Sequence, residues 1–293
     1  MHNFVLKFLS AMRSFHPATL HPLSFIGLLS ICLSVYLFSS CNKEDENSPP
    51  PSAATGTVGL RFIHLVDSLP LQLDTFNYVT YGGVLYKVTD LQYFVSRITL
   101  YPHDREPVVL SGGDSIRYID QRIPETHEWI PAGTIPAGNY DSVAFTFGLD
   151  AQQNISHRFP NPPERDMFWP EVLGGGYHHM KLNSVHKNCC TNLDTPFMMH
   201  IGTGQIYSSQ TPNTDSIIGF VQNAFRVSLP GSSFTLENDS LLVLSIVMNI
   251  DRWFNGPPNM LDLNTMPQGI MQDQERMNMV CENGRNVFSM KNE

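Results

Sequence analysis

Apolar and polar residues alternate through much of this chain in short runs bounded by Gly, Pro and Asn. The clearest run is 91–101 (LQYFVSRITLY), whose period of two is that of a strand with one buried face. Residues 58–64 (VGLRFIH) open the same way with branched and aromatic side chains, and 117–120 form a shorter strand. Gly138-Asn139-Tyr140-Asp141 turns into a strand over 142–149. Further strands are expected at 177–182, 197–201, 217–227 and 241–250. This spacing predicts an all-β antiparallel sandwich with long loops. Only the tail reads as helix: over 269–281, Ile270, Gln274, Met277 and Cys281 fall near one face, and Asn283-Gly284 is a stop. No internal repeat is visible.

The first forty residues follow a different pattern. Lys7 and Arg13 are their only charges, an apolar run fills 23–38, and Ser39-Ser40-Cys41 ends it. Basic, apolar and small-residue regions in this order mark a secretory signal. The small residues before Cys41 resemble a lipobox, with Phe38 where that pattern usually has Leu, so Cys41 is expected to carry lipid. The apolar run is short of the roughly 20 residues a spanning helix needs, and acids rather than a basic stop-transfer follow it. Residues 41–57 then read as a flexible tether and 58–293 as the folded domain. Lys43-Glu44-Asp45-Glu46 resembles the export signal of Bacteroidetes surface lipoproteins. The expected location is the outer membrane, lipid-anchored and facing the cell surface.

Charge narrows the partners. The formal net charge is -9, and removal of 1–40, with two cations and no acids, takes it to -11. A net acidic surface excludes nucleic acid, which needs a Lys/Arg footprint. Cys189, Cys190 and Cys281 remain beyond Cys41, an odd number for an oxidising compartment. Two readings stay open: a disulfide from Cys281 to one of the vicinal pair, or a thiolate-rich metal site. No G-x-S-x-G, H-E-x-x-H, Walker loop or G-x-G-x-x-G is present. Gly112-Gly113 and the 174–176 glycines read as turns, and Glu164, Asp166 and Glu171 as solvated acids. The chain is therefore not expected to be an enzyme.

Histidine is unevenly spread. Eight histidines lie beyond the signal, and five of them (His157, His178, His179, His186 and His200) fall within 157–200. Neutral imidazole suits copper or zinc. Strand alternation puts His178, Met180 and Leu182 on one face and His179 with Lys181 on the other. Lys181 seeks water, so His178 is the expected inward residue. His200 shares a face with Met198, and Gly202 leaves room for close approach.

Several stretches, in order, resemble the MbnP-like copper-binding family of exported bacterial proteins. They are 88–100 (VTDLQYFVSRITL), 135–140 (IPAGNY), 147–154 (FGLDAQQN), 166–170 (DMFWP), 176–182 (GYHHMKL) and 200–202 (HIG). The 283–288 tail resembles Bacteroidetes members. The resemblance implies a β-sandwich that binds copper outside the cytoplasm. It also implies a tryptophan oxidised to kynurenine that joins the histidines, with a di-haem peroxidase-like partner as the oxidant. Trp169 occupies the family's Met-aromatic-Trp position. The second Trp that many members carry two residues on is Glu171 here.

Together these readings predict an extracytoplasmic lipoprotein for copper capture or handover. His178 and His200 lead as metal ligands, His64 and His179 follow, and Trp169 is a modified ligand. The rival is a glycan-uptake accessory or structural surface lipoprotein, in which Trp129, Trp253 or Tyr207 would form an exposed sugar platform.

Overall fold

The computed structural model describes residues 53–110, 115–209 and 213–291. The 1–40 signal, Cys41, most of the tether and Gly112-Gly113 lie outside the described residues. All described residues belong to one compact unit.

Alternation sets one inner face on each of two sheets. Along Thr55–Val66, Val58, Leu60, Phe62, His64 and Val66 turn inward. This strand pairs with Leu241–Asn249, which in turn pairs with Phe288–Lys291. The larger sheet is centred on Leu85–Pro102, flanked by Met180–Lys187 and Gly138–Phe147. Asp194–Ile201 and Phe225–Leu229 lie outside those two. Phe62 of one sheet meets Tyr93 of the other edge to face, with ring centroids 6.4 Å apart. The result is the all-β sandwich that the alternation implies, with one pair of strands out of the antiparallel pattern. Thr55–Val66 and Leu241–Asn249 run parallel, and a period of two is the same for either direction.

Other departures have local causes. The run 217–227 divides into Ile217–Val221 and Phe225–Leu229. Between them Asn223 turns inward and donates to the Gly202 carbonyl at 2.9 Å. Ile217–Val221 pairs instead with Gly204–Tyr207 in a small separate sheet. The C-terminal helix is Gln274–Gly284, starting later than expected because the Asp273 side chain caps it by accepting from the Arg276 N–H. Its buried face is Met277, Val280 and Gly284. A second helix, Asp251–Asn255, went unpredicted; five residues are too few to display a 3.6 period, yet it buries Trp253 and Phe254.

The central strand is buried on both faces over residues 93–96. Tyr93 points into the sandwich, while Phe94 points outward beneath Phe159, Tyr118 and Tyr177. The excursion that follows Gly138–Phe147 therefore folds back across the outer face of the larger sheet. A small second core forms there from Phe94, Tyr118, Leu149, Met167 and Tyr177. That excursion carries Trp169 and His178.

Phe147 is the hub of the main core, touching the rings of Tyr93, Phe225, Trp253 and Phe288. Truncating a ring so enclosed removes its burial and leaves a cavity. Phe147→Ala is expected to lower stability by about 3–5 kcal/mol in denaturant unfolding; a loss under about 1 kcal/mol would mean that this core collapses around the hole.

Candidate metal centre

Residues 167–169 and 176–178 lie side by side as a short antiparallel ladder. Phe168 bridges Tyr177, and the Trp169 N–H donates to the Gly176 carbonyl at 2.9 Å. The turn between them is closed by Gly174, Gly175 and Gly176, all at positive φ, where a side chain would be strained. The glycines are thus turn residues, as the sequence suggests. At the end of this ladder His178 docks onto the sheet. Its backbone N–H donates to the Met167 carbonyl at 2.7 Å, and its Nδ1 lies 2.9 Å from the same oxygen.

A carbonyl only accepts, so Nδ1 of His178 carries the proton and Nε2 keeps its lone pair. That Nε2 is buried without a hydrogen-bond partner. Next to it stands the ring of His200, centroid to centroid 5.1 Å and nearly perpendicular. His200 lies in Asp194–Ile201, directly across from Lys181. Its Nε2 is 2.9 Å from Asn183 Oδ1, and the Asn183 amide nitrogen faces an Asp90 carboxylate oxygen at 3.4 Å. A carboxylate accepts only, which turns the Asn183 oxygen toward His200 and places the proton on Nε2. The lone pair of His200 is then on Nδ1. Two imidazoles, each held in one tautomer by a second group, present one lone pair apiece. Such outer partners are what orient metal-binding histidines.

Trp169 walls this pair. Its ring centroid is 4.7 Å from that of His178, and its Nε1 donates to the Leu173 carbonyl at 3.1 Å. Behind it lies Gly202, where an added Cβ would sit 2.4 Å from the indole. Gly202 therefore gives room to the tryptophan. Glu171, by contrast, is exposed and lies 3.7 Å from the exposed His157, so position 169 and not 171 neighbours His178.

The other predicted residues go elsewhere. His179 was expected to face solvent with Lys181, but it is 0% exposed against 5% for His178. The reason is that regular strand begins only at Met180. The chain bends at His179, and alternation does not extend back through it. His178 consequently stands on the side of Lys181 and His200, while His179 packs against Gly148, where a Cβ would approach the ring to 2.5 Å. Its Nδ1 accepts from the Leu149 N–H at 3.2 Å, so its lone pair is already used. His64 lies on the inner face, 2.9 Å from the Tyr93 hydroxyl and beside His127. The four histidines thus occupy three places, and only His178 and His200 meet.

Cysteine and the aromatics are also redistributed. Cys189, Cys190 and Cys281 are all free, and Cys281 does not pair with the vicinal two. It sits in the helix with its thiol toward the Asn223 carbonyl, and burial pushes its pKa up to about 12. Trp253 is wholly buried, and Trp129 and Tyr207 are partly so. Among the described residues, no helix is long and apolar enough to cross a membrane.

Burial keeps these histidines neutral. It lowers His178 to about 3, with help from Lys181, and His200 to about 4, again with Lys181. Burial alone lowers His179 to about 4, and burial together with His127 lowers His64 to about 3. Each ring binds its proton less tightly in the fold than in the unfolded chain, whose histidines titrate near ~6.5. Stability from these groups is thus complete above that pH and is lost as pH falls toward 3–4. Each contributes up to about 1.4 kcal/mol per pH unit within that window. The denaturation midpoint should fall steeply with pH there, and His179→Asn should make the slope shallower. An unchanged slope would contradict the burial argument.

The family profile for MbnP matches residues 55–272. Among solved structures, MbnP from Methylosinus trichosporium aligns over 74% of this chain and 83% of its own, at 16% identity and a TM-score of 0.46. No curated protein sequence matches the chain.

Proposed function

The chain belongs to the MbnP family, and from that premise we propose that it captures copper outside the cytoplasm and hands it on, as a binding protein and not an enzyme. The family is linked to copper. The observation that carries the assignment to a place is the buried, unpartnered Nε2 of His178 beside His200. Leaving a buried polar atom unpaired costs about 1–3 kcal/mol, and such an atom calls for a reason. A metal is a reason that the donor set fits. Copper accepts imidazole lone pairs, and both rings are neutral and oriented. Structural zinc closes four ligands around itself. Among the described residues, no group of three or more His, Cys, Asp or Glu side chains is arranged to hold a metal, which disfavours zinc. Lys181 works in the same direction, since its ammonium lies close enough to disfavour protonation of both rings and so resists a dication more than a monocation.

Trp169 extends the reading. Intact indole offers a donor N–H and no lone pair, so here it is a wall. Oxidative ring opening to kynurenine would put an amine and a carbonyl next to His178. The oxidant would be a separate, di-haem peroxidase-like protein. Lipid on Cys41 would hold the domain at the outer membrane.

Copper titration tests the ligand assignment. His178→Ala and His200→Ala should each weaken binding more than Asn183→Ala, for which a loss of about 10–100-fold is expected of an orienting residue. His179→Asn should bind like wild type. Wild-type affinity in His178→Ala would overturn the site. For Trp169, peptide mass mapping should find oxidation in protein from the native host and none in protein made without the partner. Unmodified Trp169 in copper-loaded native protein would leave two histidines as the donors and the tryptophan as packing.

A further inference from the structure

The hairpin that carries Lys181, Asn183 and His200 ends, at its far tip, in Cys189 and Cys190. Lys187 lies six residue steps beyond Lys181, about 20 Å at the rise of a strand, so these thiols stand apart from the histidine pair. Both are exposed, and their sulfurs are 3.2 Å apart. The tip is held by its own polar groups. Asn188 Oδ1 accepts from the N–H groups of Cys190 and Thr191 and from the Thr191 hydroxyl, each at 3.1 Å. The Cys189 N–H donates to Asn264 Oδ1 at 3.0 Å, tying the tip to a neighbouring loop. Asn264 is itself oriented by Asp262. Two thiols on adjacent residues, on a fixed turn and open to solvent, have no packing role to explain them.

We propose that Cys189 and Cys190 are a redox modification site, an exposed dithiol that a disulfide-bearing oxidant closes into a vicinal disulfide. One thiolate attacks a sulfur of the oxidant, forming a mixed disulfide and expelling one thiol. The neighbouring cysteine then attacks the protein sulfur of that mixed disulfide and expels the second. The two cysteines lose two protons and two electrons, and one disulfide of the oxidant becomes two thiols. The second step has only to bring the two sulfurs from 3.2 Å to the roughly 2.05 Å of a disulfide bond. It therefore outruns release of the mixed species. The hydrogen bond to Cys190, with Asp262 nearby, raises the Cys189 thiol above its usual range, as expected of sulfurs that share a proton. Adjacent α-carbons are about 3.8 Å apart, less than the ~4.4 Å lower bound of ordinary disulfides. The closed form is thus the reducible kind, suited to cycling rather than to bracing the fold. The proposal does not depend on copper at His178.

The test uses the purified full chain, reduced, then equilibrated with oxidised glutathione, alkylated and mapped by mass. Expected is a 188–193 peptide lighter by two hydrogens and free of alkyl label. Cys281 should take label on denaturation, and a mild dithiol should restore two labels at 189 and 190. Cys190→Ser should trap a stable glutathione adduct on Cys189 that the wild type does not accumulate. Retention of both labels after oxidation would overturn the proposal. So would a lasting wild-type adduct, a link to Cys281, or a link between chains.

Discussion

The Met167 carbonyl accepts twice from one residue, from the backbone N–H of His178 at 2.7 Å and from its Nδ1 at 2.9 Å. That oxygen joins three levels of the structure. It pins the excursion across the outer face of the larger sheet, which the Phe94 cluster has already drawn there by burial. It selects the tautomer of His178, because the proton must be where the acceptor is. And it turns the remaining lone pair inward, toward a place lined by Trp169 and His200. Asn183 and Asp90 perform the matching operation on His200 from the opposite side. A site of this kind is built from hydrogen bonds that cost little each and leave no rotational freedom to the rings.

The tightness of the surroundings has a steric basis. Gly202 and Gly148 each stand where a methyl group would meet a ring, the indole of Trp169 in one case and the imidazole of His179 in the other. The sheet thereby admits two large side chains from the excursion at distances its own side chains would forbid. Trp169 seals one flank of the histidine pair, while His179 packs against Gly148 and spends its lone pair on the Leu149 N–H. Adjacent histidines have come to opposite uses because the chain bends between them and the strand.

Much of the fold was legible because it follows from alternation. The run at 58–64 carries its inner face on every second residue, and so does 91–101 as far as Val95, after which an irregularity at Arg97 moves the inner face to Ile98 and Leu100. The same alternation implied a single buried face for 91–101, whereas Tyr93-Phe94-Val95 is covered on both sides, and what covers Phe94 lies too far along the chain for a local pattern to reveal. The parallel pairing of the first strand and the five-residue helix left no periodic trace. In the candidate site, the histidine cluster pointed to the stretch in which His178 and His200 meet, but alternation could not show where the strand of Met180 begins. Extending it by three residues exchanged the surroundings of His178 and His179. Asn183, Asp90 and the Met167 carbonyl were beyond reach for a different reason: they act by hydrogen bonds across strands, and no spacing within one segment encodes those.

The proposed copper site requires His178 and His200 to be fixed as neutral tautomers, with lone pairs on Nε2 and Nδ1 respectively to receive the metal. Long-range proton–nitrogen NMR of the imidazoles, recorded before and after addition of diamagnetic Cu(I), reads both parts directly. Expected in the metal-free protein are an Nδ1–H form for His178 and an Nε2–H form for His200. On Cu(I) addition, Nε2 of His178 and Nδ1 of His200 should shift together while His179 stays still. The opposite tautomer at either ring, or a shift confined to His64 or His179, would contradict it.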